Sequence, residues 1–111
     1  MDVQLKRGIL EVCVLKALSS GDSYGYQIIK DISPYVAVSE STLYPILKRL
    51  ETAGAIRVYS VEHNGRLRKY YHITPAGLAR IRDFLAEWQE VMRIYRFIES
   101  GTAVQERGEP L

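Results

Sequence analysis

The chain has 111 residues, with 15 Lys and Arg against 13 Asp and Glu, for a net charge of +2. A hydrophobic content of 47% excludes a disordered chain, and the length suits a single small domain that oligomerisation would help to stabilise. The near balance of charge excludes a polycation, so any affinity for nucleic acid must come from local placement of cations.

The single cysteine, Cys13, excludes an internal disulfide and a Cys-rich metal site. The N-terminal apolar stretch is short and broken by Glu11 and Lys16, unlike a signal peptide. No run approaches the roughly 18 apolar residues of a membrane span. A cytoplasmic protein is expected.

Leu5 to Ser19 reads as a first helix, apolar around most of its circumference. Such a helix is buried on several sides, so it can serve both the core and a second subunit. Cys13 lies in its apolar run and reads as a small buried hydrophobe, with a redox thiol beside Lys16 as the rival reading. Ser20-Gly21-Asp22 forms a turn, and Ser23 is the candidate N-cap of a second helix from about Tyr24 to Ile32. Ser33-Pro34 ends that helix, because proline disfavours a helical residue before it.

Ser39 or Ser41 should cap the third helix. Leu43, Ile46, Leu47, Leu50 and Gly54 then recur on one side. The opposite side holds Ser41, Pro45, Lys48 and Thr52, flanked by Tyr44 and Arg49. Pro45 is expected in the first turns, where a missing N–H costs least. Two cations, small hydroxyls and an aromatic suit phosphates and base edges in a major groove, although a polar helix face is by default only solvated.

Gly54 stops the helix. Ile56 to His63 reads as a strand, Asn64-Gly65 as a type I′ turn, and Arg66 to Ile73 as the returning strand. The returning strand opens with Arg66, Arg68 and Lys69. A polar-faced helix followed directly by a basic-tipped hairpin is the layout of a winged helix. Cations on a hairpin also discourage edge-to-edge aggregation, which is the competing explanation for them.

Thr74-Pro75 opens the last helix, threonine as N-cap and proline at the first position. Leu78, Ile81, Leu85, Trp88, Met92 and Tyr95 follow in alternating steps of three and four, a heptad register that Phe84, Val91 and Ile98 widen. Roughly 27 residues make a rod about 40 Å long. Its apolar stripe is too large for the preceding domain to cover, so a second copy across a two-fold axis is the expected partner. Residues 101–111 carry mixed charge without periodicity and are expected to form a mobile tail.

The run from Ser41 to Glu51 (STLYPILKRLE) with Gly54, the run from Arg68 to Gly77 (RKYYHITPAG), and Gly25-Tyr26 resemble the signatures of the PadR family of transcriptional regulators. The resemblance covers the chain to about Ser100. It implies a dimeric, ligand-responsive repressor of the short subclass, with one C-terminal dimerisation helix. Trp88 occupies the place where multidrug-sensing members carry a tryptophan that faces its symmetry mate and stacks planar aromatic compounds. Two indoles flanking a flat guest offer stacking and cation–π attraction.

Leu85 and Met92 would line such a slot, with Leu5, Gly8, Ile9 and Val12 of the first helix as walls. Large apolar interface packing is the plainer role for Trp88. Met92 stands where such sensors can carry an acid, a departure that bears on any preference for cationic drugs. A phenolic-acid effector is the other kind the family suggests.

No catalytic constellation is evident. His63 and His72 could approach across the hairpin, but they form at most half a metal site. No cofactor is expected.

The expected fold is mainly α with a small β-hairpin, a winged helix-turn-helix with a long C-terminal dimerisation helix. Residues 1–73 form the DNA-binding domain, 74–100 the dimerisation helix and 101–111 the tail. Ser41, Thr42, Tyr44, Pro45, Lys48 and Arg49 should face double-stranded DNA, with Asn64, Arg66, Arg68 and Lys69 on the wing. The competing readings are a winged-helix protein-interaction module without its own operator, and a small enzyme using Cys13 or the histidines.

Overall fold

A computed structural model describes residues 1–106. Four helices and one hairpin follow in the order α1 (Val3–Ser19), α2 (Gly25–Ile32), α3 (Glu40–Thr52), β1 (Ile56–His63), β2 (Arg66–Ile73) and α4 (Pro75–Glu106). The fold is mainly α with a two-stranded antiparallel hairpin and a long C-terminal helix, as expected. Two compact units divide after Ile81.

The first unit is built on three helices that share one apolar core. Asp2 caps α1, its Oδ2 accepting from the Leu5 N–H at 3.0 Å. Leu10, Val14, Leu15 and Leu18 of α1 meet Ile28 and Ile32 of α2 and Leu43, Ile46, Leu47 and Leu50 of α3 in one core. Each fully buried aliphatic side chain here contributes about 1.5–3 kcal/mol relative to an exposed one. Ala55, Ile56 and Tyr71 close the core on the hairpin side. Cys13 is half-buried against the same core, and burial pushes its thiol up, which argues against a reactive thiolate.

Ser23 does not cap α2. The N-cap is Tyr24, and no side-chain bond completes it. Ser23 instead forms an isolated bridge with Tyr71, through N–H to carbonyl bonds of 3.3 and 2.8 Å. The backbone of β2 captures it as a one-residue strand. Ser39 caps α3, accepting from the Thr42 N–H at 3.3 Å.

Pro45 is the sixth residue of α3, beyond the amides that go unpaired at a helix start. It therefore removes one helical bond, the one to the Ser41 carbonyl. Both residues are exposed, so water can take that acceptor.

The hairpin register pairs Ile56 with Ile73 and His63 with Arg66. Asn64 (φ 52°) and Gly65 (φ 79°) both adopt positive φ, as a type I′ turn requires. Thr74 joins the ends of α3 and α4. Its Oγ1 donates to the Gly54 carbonyl at 2.7 Å and accepts from the Gly77 N–H at 3.2 Å.

Ile81, expected on the dimer stripe, packs partly buried against the core of the first unit. In the second unit, helix α4 continues through residues 101–106, which were expected as tail. Residues 107–111 of that expected tail lie outside the described residues.

Candidate nucleic-acid interface

The buried side of α3 fixes what its other sides present. Leu43, Ile46, Leu47 and Leu50 are at most 2% exposed. Ser41, Pro45, Lys48 and Thr52 lie opposite them and are all exposed. This strip carries one cation, two hydroxyl groups and a rigid ring, with no carboxylate among its four side chains.

Tyr44 flanks the strip on the hairpin side. It is 48% exposed, and its hydroxyl lies against Gly25 of α2, where an added Cβ would come within 2.7 Å. Gly25 is buried for that reason: a side chain there would displace the ring. Tyr44 and Lys48 share a hollow of about 190 Å³ with Leu47, Glu51, Val58, Lys69 and Tyr71. A neighbouring hollow joins Tyr44 to Tyr24, Gly25, Tyr26, Arg68 and Lys69. The structure thus brings Tyr44 and Lys48 of α3 and Arg68 and Lys69 of β2 to one side of the unit.

Arg68 is not a loose cation. Its guanidinium sits 4.1 Å from the centre of the Tyr24 ring, a cation–π contact that orients it. Tyr24 packs edge-on against Tyr70, and Tyr70 stacks on Tyr59 at 5.8 Å. Tyr59 and Tyr70 are direct cross-strand partners. Lys69, Arg66 and Asn64 are exposed on the hairpin.

Arg49, at the edge of the strip, is held in an ion pair. Its Nε lies 3.0 Å from Glu11 Oε2, while Arg80 Nη2 lies 2.8 Å from the other oxygen. The Glu11 side chain is only 13% exposed, so a part-buried carboxylate of α1 holds Arg49 at the edge of the strip. Sequence periodicity put Arg49 at the edge of that strip, and it could not reveal a partner 38 residues earlier. The one available signal was an acid inside the apolar run from Ile9 to Leu15.

Asp22 is the other residue the sequence reading missed. Its carboxylate accepts from the Tyr59 hydroxyl at 2.6 Å and lies 2.7 Å from His72 Nδ1. These two bonds hold the Asp22 carboxyl below its ordinary range, and the same bond raises the Tyr59 phenol. Burial, with Tyr44 and Glu51 nearby, raises the Tyr71 phenol.

His72 pairs with Arg57 at the hairpin base and His63 with Arg66 at its tip, so the two histidines stand at opposite ends. Among the described residues no group of three or more His, Cys, Asp or Glu can hold a metal ion. No helix among them is long and apolar enough to cross a membrane.

The second unit carries the remaining candidates. Leu85, Val91, Met92, Tyr95 and Ile98 are all at least 37% exposed, together with Ile94 and Phe97. Phe84 and Trp88 contact each other, ring centroids 5.9 Å apart and tilted by 43°. In the first unit, Leu5 and Gly8 of α1 are exposed, and Ile9 and Val12 are half-buried. Leu78, at the start of α4, is 39% exposed.

Residues 14–83 match the transcriptional regulator PadR-like family. The transcriptional regulator Rv3488 of Mycobacterium tuberculosis is 29% identical over 91 residues, covering 81% of this chain and 85% of that protein. Among solved structures, a PadR-like transcription factor from Bacteroides fragilis superposes with a TM-score of 0.77 at 32% identity, over 86% of this chain and 94% of that one. A transcriptional regulator from Clostridium thermocellum gives 0.76 at 34% identity, over 84% and 95%. The chain belongs to the PadR-like family, whose members are transcriptional regulators rather than enzymes.

Proposed function

We propose that the protein is a homodimeric, ligand-responsive repressor that binds a pseudo-palindromic operator and is released by a planar aromatic effector. The observation that carries the DNA step is the shared hollow in which Lys48 of α3 meets Lys69 of β2. In this reading Ser41, Thr42, Tyr44, Pro45 and Lys48 face the major groove. Arg66, Arg68 and Lys69 meet phosphates beside it, and Asn64 shapes the turn. Arg49 joins them only if it leaves Glu11. Two-fold symmetry would space the half-sites about 34 Å apart.

A salt series on a labelled duplex tests this step. A DNA binder loses affinity in proportion to the phosphates it neutralises. Lys48→Ala and Arg66→Ala should each flatten that dependence. An unchanged slope in both would favour the protein-interaction module instead.

The exposed apolar side chains of α4 support pairing with a second copy, because a lone helix presenting Leu85, Val91, Tyr95 and Phe97 to water is costly. The ligand step places Trp88 opposite its mate, with Leu85 and Met92 beside it and Leu5, Gly8, Ile9 and Val12 as walls. Trp88 is the only indole. Titration with planar dyes, drugs and phenolic acids can therefore be followed by its fluorescence. Saturable quenching that disappears in Trp88→Ala, with the dimer intact, supports the slot. Silence across the panel leaves Trp88 as interface packing. Release would follow by population shift, to the extent that the effector binds the two dimer conformations unequally.

A further inference from the structure

The hairpin cations border only one edge of the α3 strip. At roughly 100° per residue, Tyr44, Leu47, Lys48 and Glu51, which share the hollow with β2, centre about 80° to one side of Ser41, Pro45, Lys48 and Thr52. A second hollow opens on the other edge. It is lined by Thr42, Pro45, Ile46 and Arg49 of α3 together with Met1, Val3, Lys6, Arg7 and Leu10. The same arithmetic centres these α3 residues about 80° to the opposite side of the strip.

A helix lying in a major groove has a phosphate backbone along each of its flanks, the groove being about 12 Å wide. The hairpin supplies cations for one flank. On the other, α1 brings Lys6 and Arg7, both exposed. Of the acids nearest to them in sequence, Asp2 is occupied in capping α1, and Glu11, one turn beyond Arg7, is taken by Arg49 and Arg80. Arg49 also borders this hollow, but Glu11 holds it.

We infer that Lys6 and Arg7 form a second phosphate-contact site, gripping the DNA backbone on the flank of α3 opposite the wing. The inference rests on the DNA-binding reading above and adds to it residues outside both the strip and the hairpin. The complementarity is of charge and position: two cations that make no ion pair among the described residues, beside Thr42 and Pro45 and continuous with the strip proposed to enter the groove. Their contact is with phosphate and so is independent of base sequence.

The test is the salt dependence of binding to a labelled mixed-sequence duplex, followed by anisotropy. The variants are Lys6→Gln/Arg7→Gln, Lys48→Ala, and a control pair, Lys16→Gln/Arg57→Gln. The control removes equal charge from the far end of α1 and the base of the hairpin. Glutamine keeps helix propensity at the exposed α1 positions.

The Lys6→Gln/Arg7→Gln protein should lose about 0.9 from the slope of log affinity against log salt for each contact removed, while the control pair keeps the wild-type slope. If the wild type binds DNA and Lys48→Ala flattens its slope, but the Lys6/Arg7 variant matches wild type, the second site is wrong and the DNA reading stands. An equal fall in the control pair would overturn the site as well, because it would reflect net charge alone. Absence of any wild-type binding would remove the DNA reading and this inference together.

Discussion

Glu11 is the residue on which most depends in the first unit. Its two oxygens join α1 to α3 through Arg49 and to the start of α4 through Arg80. Removing a part-buried carboxylate that two guanidiniums share leaves both cations without their acceptor. Glu11→Ala should therefore destabilise the protein by about 1–2 kcal/mol in urea unfolding, a charged-bond value discounted because both arginines are about 40% exposed.

Asp22 gives a pH signature. Its folded carboxyl is held below the unfolded value by Tyr59 and His72, so the stabilisation is present above the ordinary aspartate range. It is lost as pH falls through the depressed folded value. Thermal melts should thus show wild type above Asp22→Asn at neutral pH, the two converging below about pH 4. A gap that persists in acid would mean that Asp22 acts through packing rather than charge. Neither residue's role was legible in the sequence, because each partner lies tens of positions away. Residues facing the core were legible, since helical periodicity alone selects Leu43, Ile46, Leu47 and Leu50.

At the scale of elements, local signals placed most boundaries and long-range contacts decided the rest. Asn64-Gly65 and Thr74-Pro75 marked their turn and helix start correctly, because the backbone conformations they need are intrinsic to those residues. Ser23 carried an equally good capping signal. It lost to the backbone of Tyr71, which no local window contains.

Two glycines test how tightly the elements meet. An added Cβ at Gly77 would collide with the Ala55 carbonyl, which is backbone and cannot swing away, and come within 2.7 Å of Ile73 Cγ1. At Gly25 the obstacle is only the far end of the Tyr44 side chain. Gly77→Ala should cost about 1–3 kcal/mol by calorimetry. Gly25→Ala should cost much less and instead swing Tyr44, which a weakened DNA affinity at near-native stability would report.

For the whole molecule, the heptad stripe was read from sequence as a single surface, and the structure divides it. Ile81 belongs to the core of the first unit, whereas Leu85, Val91, Met92, Tyr95 and Ile98 remain exposed on α4. Periodicity cannot tell a position facing the protein's own core from one facing a partner, since both are apolar at the same spacing. Leu85→Glu and Tyr95→Glu should convert a dimer to folded monomers in sedimentation equilibrium, with little change in the far-ultraviolet circular dichroism of the first unit. Ile81→Glu should instead unfold the protein. If Leu85→Glu and Tyr95→Glu both sediment as wild type, α4 is not the dimer surface.

The single-residue bridge at Ser23 has a consequence for exchange with solvent. It occupies one flank of β2 at Tyr71, while β1 occupies the other. Near the hairpin base β2 is thus an interior strand, and β1 is an edge whose outward amides make no backbone bond among the described residues. In deuterated buffer the Tyr71 amide should persist while outward-facing amides of β1 exchange within the dead time. The wing is therefore a hairpin with unequal legs: the one that carries Arg68 and Lys69 is joined to the body by its backbone, the other by the side chains of Ile56 and Tyr59.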